Sequence, residues 1–576
     1  MSSELDGKHT RTWSRPDLLI GVGLYLVALI AILTEIGNRP AFAYNWENYT
    51  LWDGFPWWDA PSLNAFDLTD GLMTDSGRSW WVLGPTWLAF RIADTGLTPL
   101  RIATGAVAAL SVPLTWILAR SLITGMFTMS GWSNVEQATL TRAARWAAVL
   151  SGLLLVALAS WLLYARTATL VGLSVAPALL TIIIIDQLRR LTDAWWVWLI
   201  ALQTMLLLDA WAYAPIRFLY PFALVYFGVE LLFRRQAWRR WLVVIGVTAV
   251  SLPLLLATVD QDPAWRPIES INDYYNARGE QILALRENPN DFAYFLRDAD
   301  MEQSPDELER QLIEQNARDL FRLFFDIDTR PAITDYWNQT GRLMPWFLAP
   351  FVLLGMAVSL LRVVRAPESR LLHLMFWGFT LPMILTSKVH IGRLVFAMPF
   401  LCIFAAIGII GIAWGLTFHF DRRTSRRPLI NLAAPLLALA LLIPVAASAF
   451  ADYRTPVTGG WETRFADLLE SNPEQFQNGV AWIGGDLSQL QIEEISLAAV
   501  RIEVDQDYQF VNLAAGETPD RDDPRPVVYF GAVPEFLDDP STATALCALP
   551  WAMREGAEPF AELPPACQSD TIIPIS

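Results

Sequence analysis

The stretch DLLIGVGLYLVALIAILTEI, residues 17–36, decides the fold of this chain because it is almost wholly apolar and long enough to cross a bilayer. About 20 apolar residues span the hydrocarbon core as a helix. No small-residue cleavage pattern accompanies it, so we predict a retained helix and not a cleaved signal. The next stretch, FAYNWENYTLWDGFPWWDAP at 42–61, mixes acids, aromatic residues and prolines. Together they predict a membrane span that leads into an unusual polar loop.

The composition predicts that such spans recur. Hydrophobic residues make up 54% of the 576 residues, and 26 residues are tryptophan. This exceeds what a soluble globular chain carries and indicates a polytopic membrane protein embedded in the lipid bilayer. The formal net charge of −16 argues against nucleic acid as a partner, because binding to phosphate groups needs a basic surface.

Apolar runs of span length recur along the sequence, and we predict about eleven transmembrane helices in a mainly α fold. The candidate spans are 17–36, 100–119, 143–163, 168–186, 194–209, 217–233, 239–258, 343–361, 371–387, 392–416 and 428–450. One further apolar stretch, 80–93, is shorter and is interrupted by Gly84-Pro85. It is predicted to lie at the membrane interface, and a twelfth span is the alternative.

Lysine and arginine indicate the orientation, because they prefer short cytoplasmic loops. With eleven spans and a cytoplasmic N-terminus, every segment on the cytoplasmic side is basic, namely 1–16, 120–142, 187–193, 234–240, 362–370 and 419–427. The alternate segments are acidic or nearly free of clustered cations. A twelfth span at 80–93 would invert every later loop, so the charges favour eleven. We therefore predict a multi-pass plasma-membrane protein with its N-terminus in the cytoplasm.

This orientation divides the chain into three parts. Residues 1–16 form a cytoplasmic N-terminus, residues 17–451 form a transmembrane module, and residues 452–576 form an extracytoplasmic C-terminal domain. The last part contains strand-like VVYFGA and helix-like ETRFADLLES between proline-rich turns, which predicts a small α/β domain. Cys547 and Cys567 fall within it. They form one disulfide if the region is extracytoplasmic, and two unrelated thiols are the alternative.

The transmembrane module has two long outer loops, 37–99 and 259–342. In the second, Ser304, Pro305 and Glu307 predict the start of a helix, as N-cap, first-turn proline and capping-box partner. Apolar residues on one helical stripe follow at Leu308, Leu312, Leu320, Leu323 and Phe324. We predict an outer amphipathic helix, which either covers a site or rests on lipid.

Acids of the first outer loop are candidate general bases. They are Glu47, Asp53, Asp59, Asp67, Asp70 and Asp75. A carboxylate close to a low-dielectric surface can have its pKa raised, which suits removal of a proton from an acceptor hydroxyl or amide. The alternative is that these acids keep an outer loop hydrated.

Cations and hydrogen-bonding groups gather in the shorter outer turns. Those turns contribute Arg166, Asp209, Tyr213, Arg217, His390 and Arg393. A guanidinium suits a phosphate or pyrophosphate head group by its charge and its forked hydrogen bonding. Snorkelling from helix ends is the alternative for an arginine. Because the positive-inside bias disfavours outer arginines, function is favoured at Arg217 and Arg393.

Motifs for several other chemistries are absent from the sequence. It contains no P-loop, glycine-rich dinucleotide turn, His-x-x-x-His pair or nucleophile elbow. This disfavours a nucleotide-driven pump or a soluble-type hydrolase. Short Asp-x-Asp patterns occur in acidic loops and identify no metal site. We assign no metal ligand and no cofactor, and the use of a divalent cation stays open.

Three segments resemble the GT-C glycosyltransferases, specifically the branch of protein O-mannosyltransferases and aminoarabinose transferases. They are LAFRIADTGLTPLRIATGAVAALSVPLTWILAR at 88–120, ASWLLYARTATLVG at 159–172 and HIGRLVFAMPF at 390–400. The family also begins with one span followed by a long outer loop that contains an acidic motif. With this layout, the resemblance extends over residues 15–450.

The resemblance implies roles for individual residues. The family has an Asp-Glu motif in the first outer loop, whose carboxylate is the presumed catalytic base, and this chain has Asn-Trp-Glu at 45–47. Glu47 is the best positional match, with Asp70 and Asp75 as the alternatives. The family also uses a cation later in that loop, near the lipid phosphate, which corresponds to Arg78.

The activity implied by the resemblance is transfer of a sugar from a polyprenyl-phosphate-linked donor to a protein, lipid or glycan acceptor on the extracytoplasmic face. Arg166, Arg217 and Arg393 would assist by analogy of position. One rival is a transporter or flippase of lipid-linked glycans, a class that places ionisable groups near the midplane and often has internal repeats. The other rival is a non-catalytic membrane scaffold, whose outer charged residues would be indifferent to mutation.

Overall fold

A computed structural model gives the architecture of the chain. The structure describes residues 15–34, 84–85, 88–89, 91–92, 97–127, 134–167, 170–190, 194–210, 216, 218–234, 237–258, 305–325, 343–385, 391–424, 436, 440–448, 482–485, 509–511, 527–532, 544–549 and 573–575. These residues are mainly helical. The principal α-helices are, in chain order, α1 (Arg15–Leu33), α2 (Leu97–Ala109), α3 (Ser111–Phe127), α4 (Asn134–Ala157), α5 (Ala159–Arg166), α6 (Leu170–Leu188), α7 (Trp195–Ala210), α8 (Leu219–Phe233), α9 (Trp238–Thr258), α10 (Pro305–Phe325), α11 (Ala349–Leu360), α12 (Pro367–Thr380), α13 (Ile391–Leu394) and α14 (Met398–Thr424). Residues 440–448 are also helical. Short 3-10 helices occur at Trp346–Leu348, Leu381–Leu385 and Val395–Ala397.

Several helices have the length and composition of membrane spans. Within the described ranges, four stretches qualify, namely Arg15–Leu33, Thr98–Phe127, Val171–Leu188 and Gly392–Ile412. The bent pair Thr141–Ala157 and Ala159–Arg166 adds a fifth if it is one span. These helices confirm an integral membrane protein of mainly α structure, and the number of eleven spans stays a prediction.

The run predicted as one span at 143–163 is divided into α4 and α5, which meet at an angle of 65°. The break falls at Leu158, whose amide donates to the carbonyl of Leu155 at 3.2 Å. This bond joins residues three apart, as in a 3-10 turn, and not four apart as in an α-helix. Beyond the break, the Ser160 hydroxyl donates to the carbonyl of Leu343 at 2.7 Å. Hydropathy did not predict the bend, because the bond that accompanies it joins residues distant in sequence.

Two glycines allow α11 and α14 to pack closely. A Cβ atom at Gly355 would overlap the carbonyl oxygen of Phe404, and one at Gly408 would overlap the carbonyl oxygen of Phe351. Small residues at such positions let helix backbones approach within an apolar environment. The beginning of α14 is fully buried through this contact and others like it.

Helix ends predicted to face the cytoplasm lie together in the structure. Three buried or half-buried ion pairs connect different helices there: Asp17 to Arg120 at 2.8 Å, Glu368 to Arg189 at 2.9 Å and Glu230 to Arg370 at 2.7 Å. A fourth pair, Asp186 to Arg189 at 2.7 Å, lies at the C-terminal end of α6 itself. The structure thus groups these ends at one end of the helices, as an alternating topology requires. The side of the membrane that they face stays a prediction.

The C-terminal region contributes a mixed β-sheet. Its strands are β1 (Trp482–Gly485), β2 (Gln509–Val511), β3 (Val527–Ala532), β4 (Thr544–Leu549) and β5 (Ile573–Ile575). The sheet order is β2-β1-β3-β4-β5, with β1 parallel to β2 and β3, and with β4 antiparallel to β3 and β5. The predicted strand VVYFGA is β3. The predicted helix ETRFADLLES and Cys567 lie outside the described residues.

Candidate functional site

The predicted site residues fall into two groups. Seven lie outside the described residues, namely Glu47, Asp70, Asp75, Arg78, Tyr213, Arg217 and His390. Three are described, namely Arg166, Asp209 and Arg393. The roles of all ten residues stay predictions. For the three described residues, the structure gives the surroundings of each side chain.

Asp209 is the penultimate residue of α7 and is 1% exposed. Its Oδ2 atom accepts a hydrogen bond of 2.5 Å from the hydroxyl of Thr181, which lies in α6 and is fully buried. The other carboxylate oxygen, Oδ1, has no hydrogen-bond partner in the described part of the chain. A buried acceptor without a partner costs about 1–3 kcal/mol. An acid inside an apolar helix indicates a functional position, because placing an ionisable side chain within the bilayer costs free energy.

Arg166 is the last residue of α5, the eight-residue helix that follows the 65° bend. Its side chain is 2% exposed. A guanidinium can be withdrawn from water to this extent only with compensating acceptors. This burial distinguishes Arg166 from an arginine that snorkels into solvent.

Arg393 lies in the four-residue helix α13, at the start of the apolar stretch Gly392–Ile412. It is half-buried, and it makes no hydrogen bond or ion pair in the described part of the chain. Phe396 stacks on Phe379 of α12 with ring centroids 5.5 Å apart, and Phe400 stacks on the same ring at 6.2 Å. Aromatic packing therefore fixes the backbone next to Arg393. No ion pair joins Arg393 to Asp209.

The predicted outer amphipathic helix is α10, which begins at Pro305 as the N-cap at Ser304 requires. Its stripe residues Leu320, Leu323 and Phe324 are buried. Phe324 meets Phe376 of α12 edge to face, with ring centroids 5.8 Å apart. The apolar stripe of α10 therefore packs against protein at its C-terminal half. The side chains of Leu308 and Leu312 lie outside the described residues.

Among the described residues, no group of three or more His, Cys, Asp or Glu side chains could hold a metal ion. All six predicted acids of the first outer loop lie outside that part of the chain. The use of a divalent cation therefore stays open.

Comparisons with known proteins give similarity in structure only. No protein-family model matches the chain, and no curated protein matches it in sequence. ArnT from Cupriavidus metallidurans is similar with a TM-score of 0.49 in the apo state and 0.48 bound to undecaprenyl phosphate, both at 12% identity over 89% of this chain and 92% and 93% of that one. The apo oligosaccharyltransferase of Archaeoglobus fulgidus is similar with a TM-score of 0.48 at 11% identity over 85% of this chain. This chain covers 64% of the length of that protein.

Sequence reasoning missed a buried polar network that joins α3, α6 and α12 near the C-terminal end of α6. Asp186 is fully buried and accepts hydrogen bonds from Ser121 at 2.5 Å and from Arg189 at 2.7 Å. Burial disfavours the charge of Arg189, but the neighbouring Asp186 and Glu368 carboxylates hold the pKa of the guanidinium above its usual value. From the sequence, these arginines indicated only the orientation of the loops.

A signal for this network is present in the sequence. Asp186 directly follows the apolar run TIIII, and Glu230 stands within FGVELLF. An acid inside an apolar run needs a cation or a hydrogen-bond donor as its partner. Arg370 donates to Glu230 at 2.7 Å but is 140 residues away in the sequence. The sequence therefore shows that Glu230 needs a partner, but it does not show which residue that partner is.

Proposed function

We propose that this protein is a membrane glycosyltransferase, which moves a sugar from a polyprenyl-phosphate-linked donor to a protein, lipid or glycan acceptor on the extracytoplasmic face. Its integral membrane character follows from the apolar helices. The donor class and the acceptor classes are the proposal.

The observation that carries the proposal is the environment of Arg393. This guanidinium is half-buried near the start of a 21-residue, largely apolar stretch, Gly392–Ile412, and makes no hydrogen bond or ion pair in the described part of the chain. A charge withdrawn from water needs a counter-ion. At a bilayer surface, a lipid phosphate supplies the anion and the paired oxygen acceptors that a guanidinium prefers.

The proposed reaction is an inverting displacement at the anomeric carbon of the donor sugar. The acceptor oxygen or nitrogen forms a bond to this carbon while the bond to the phosphate oxygen breaks, and the phosphate leaves with the electron pair. Glu47, or else Asp70 or Asp75, takes the proton that the acceptor loses. Arg393, with Arg78, Arg166 and Arg217, stabilises the negative charge on the departing phosphate.

The remaining predicted site residues have a binding role in this proposal. Asp209, with one open carboxylate oxygen, Tyr213 and His390 offer hydrogen bonds to sugar hydroxyl groups. Tryptophans of the first outer loop, such as those in 42–61, bind sugar faces and anchor the loop at the interface. The sequence assigns no cofactor, and a divalent cation stays open as an aid to phosphate departure.

The proposal includes an arrangement in the membrane. Residues 1–16 are cytoplasmic, residues 17–451 form the transmembrane module, and residues 452–576 form an extracytoplasmic domain around the described sheet. This arrangement puts the loops 37–99 and 259–342 on the side where a water-borne acceptor meets the lipid-borne sugar.

Glycan analysis of a deletion strain tests the proposal. Mass spectrometry of glycans and glycoproteins should show the loss of one sugar modification, which wild-type protein restores. E47Q removes the charge of the proposed base with little change of shape, so it should abolish restoration at unchanged protein level. Full restoration by E47Q rejects Glu47 as base and moves the role to Asp70 or Asp75. Loss of the modification together with trapping of intact glycosylated lipid on the cytoplasmic leaflet favours a flippase instead.

A further inference from the structure

The outer helix α10 has two chemically different faces. Arg310 and Arg318 form exposed ion pairs with Glu314, at 3.3 and 3.4 Å. On the opposite face Asn316 is 1% exposed and Asp319 is 5% exposed. A polar side chain is buried within an apolar stripe only if hydrogen bonds compensate its lost hydration.

The Asn316 amide caps the end of the adjoining helix α12. Its Nδ2 atom donates to the carbonyl of Ile384 at 3.2 Å. Ile384 lies in the 3-10 helix Leu381–Leu385, which continues α12. The last carbonyl groups of a helix lack partners within the helix, so a side-chain donor at this point fixes where the helix ends.

The same end of α12 packs against the backbone that contains Arg393. Phe379, five residues before Ile384, stacks on Phe396 with ring centroids 5.5 Å apart. α12 also contacts α13 directly. A displacement of the end of α12 should therefore displace Arg393 as well.

We propose that Asn316 is a positioning residue for Arg393, acting through the end of α12. The inference depends on the proposed function, in which Arg393 binds the phosphate of the lipid donor. A guanidinium binds phosphate through two directed hydrogen bonds, and a misplacement of about 1 Å can cost about a hundredfold in activity. Loss of the Asn316 cap should therefore weaken phosphate binding although Asn316 does not touch the ligand.

The test uses the full chain in lipid nanodiscs and a polyprenyl monophosphate as the probe. N316L removes the hydrogen bond with an apolar side chain of similar size, and N316D removes the donor while keeping the shape. R318A, on the exposed face of the same helix, is the matched control. We expect both Asn316 variants to raise the Kd for the probe about tenfold, with R318A unchanged and with melting temperatures near that of wild type.

A double variant distinguishes positioning from a separate effect. If Asn316 acts through Arg393, N316L should cause no further loss of binding in the R393A background. If the losses of affinity in N316L and R393A add in the double variant, the inference is overturned. It is also overturned if R393A binds the probe weakly but both Asn316 variants bind it as well as wild type. Unfolding of both Asn316 variants makes the residue structural and also overturns it. Wild-type binding by R393A instead rejects the proposed phosphate role of Arg393, which is a failure of the proposed function itself.

Discussion

At the scale of single residues, the described site residues are ionisable groups withdrawn from water. Asp209 and Arg166 are nearly fully buried, and Arg393 is half-buried. The residue types and their places at helix ends were predictable from the sequence, because charges interrupt apolar runs there. Thr181 as the partner of Asp209 was not predictable, since hydropathy gives no pairing between helices.

The first prediction concerns the charge of Asp209. D209N keeps a side-chain oxygen that accepts the bond from Thr181 but loses the charged acceptor. Because hydrogen bonds to charged groups contribute about 1.5–3 kcal/mol, we expect sugar transfer to fall about tenfold or more while the melting temperature stays near that of wild type. Glycan mass spectrometry and thermal unfolding measure the two effects.

T181V is the matched control for D209N, because it removes the hydrogen bond that D209N keeps and leaves the carboxylate in place. T181V should lower the melting temperature more than D209N does. It should reduce sugar transfer by a smaller factor than D209N does. If D209N transfers sugar as well as wild type, Asp209 has no substrate-binding role and its burial is purely structural.

At the scale of elements, periodicity predicted helices well and their interruptions poorly. The stretch predicted as the span 239–258 is a helix at Trp238–Thr258, and the capping signal at Ser304 was followed by a helix that begins at Pro305. The 65° bend between α4 and α5 was missed. Local apolar length determines where a helix lies in the membrane, whereas a bend depends on tertiary contacts such as the bond from Ser160 to Leu343.

The second prediction concerns the contact of α11 with α14. G408A should destabilise the protein by about 1–3 kcal/mol, because the added Cβ would overlap the carbonyl oxygen of Phe351. G411A, three residues further along the same helix, has no atom within 4 Å of the added Cβ. It should leave stability unchanged or raise it by up to about 1 kcal/mol, since alanine favours the helix. Thermal unfolding in detergent compares the two variants, and equal melting temperatures would contradict the close packing.

At the scale of the whole molecule, the charge pattern and the observed ion pairs agree on which helix ends belong together. The segments 187–193 and 362–370 were both predicted to be cytoplasmic, and Arg189 contacts Glu368 at 2.9 Å. Arginine counts alone predict this grouping, although Asp186 and Glu368 neutralise part of the charge. Acidic residues contribute little to topology, which explains why the count still grouped the ends correctly.

The last prediction is the sidedness of the molecule. Fusions of a reporter after residues 190 and 365 should place it in the cytoplasm, and fusions after residues 304 and 451 should place it outside, because the arginine-rich segments resist translocation. Green fluorescent protein fluoresces only inside and alkaline phosphatase is active only outside, so both reporters at each position give complementary signals. Reporters on one side after both 304 and 365 would contradict the predicted span 343–361 between them. An inverted pattern throughout would put Glu47 in the cytoplasm, and an acceptor on the outer surface would then have no base to take its proton.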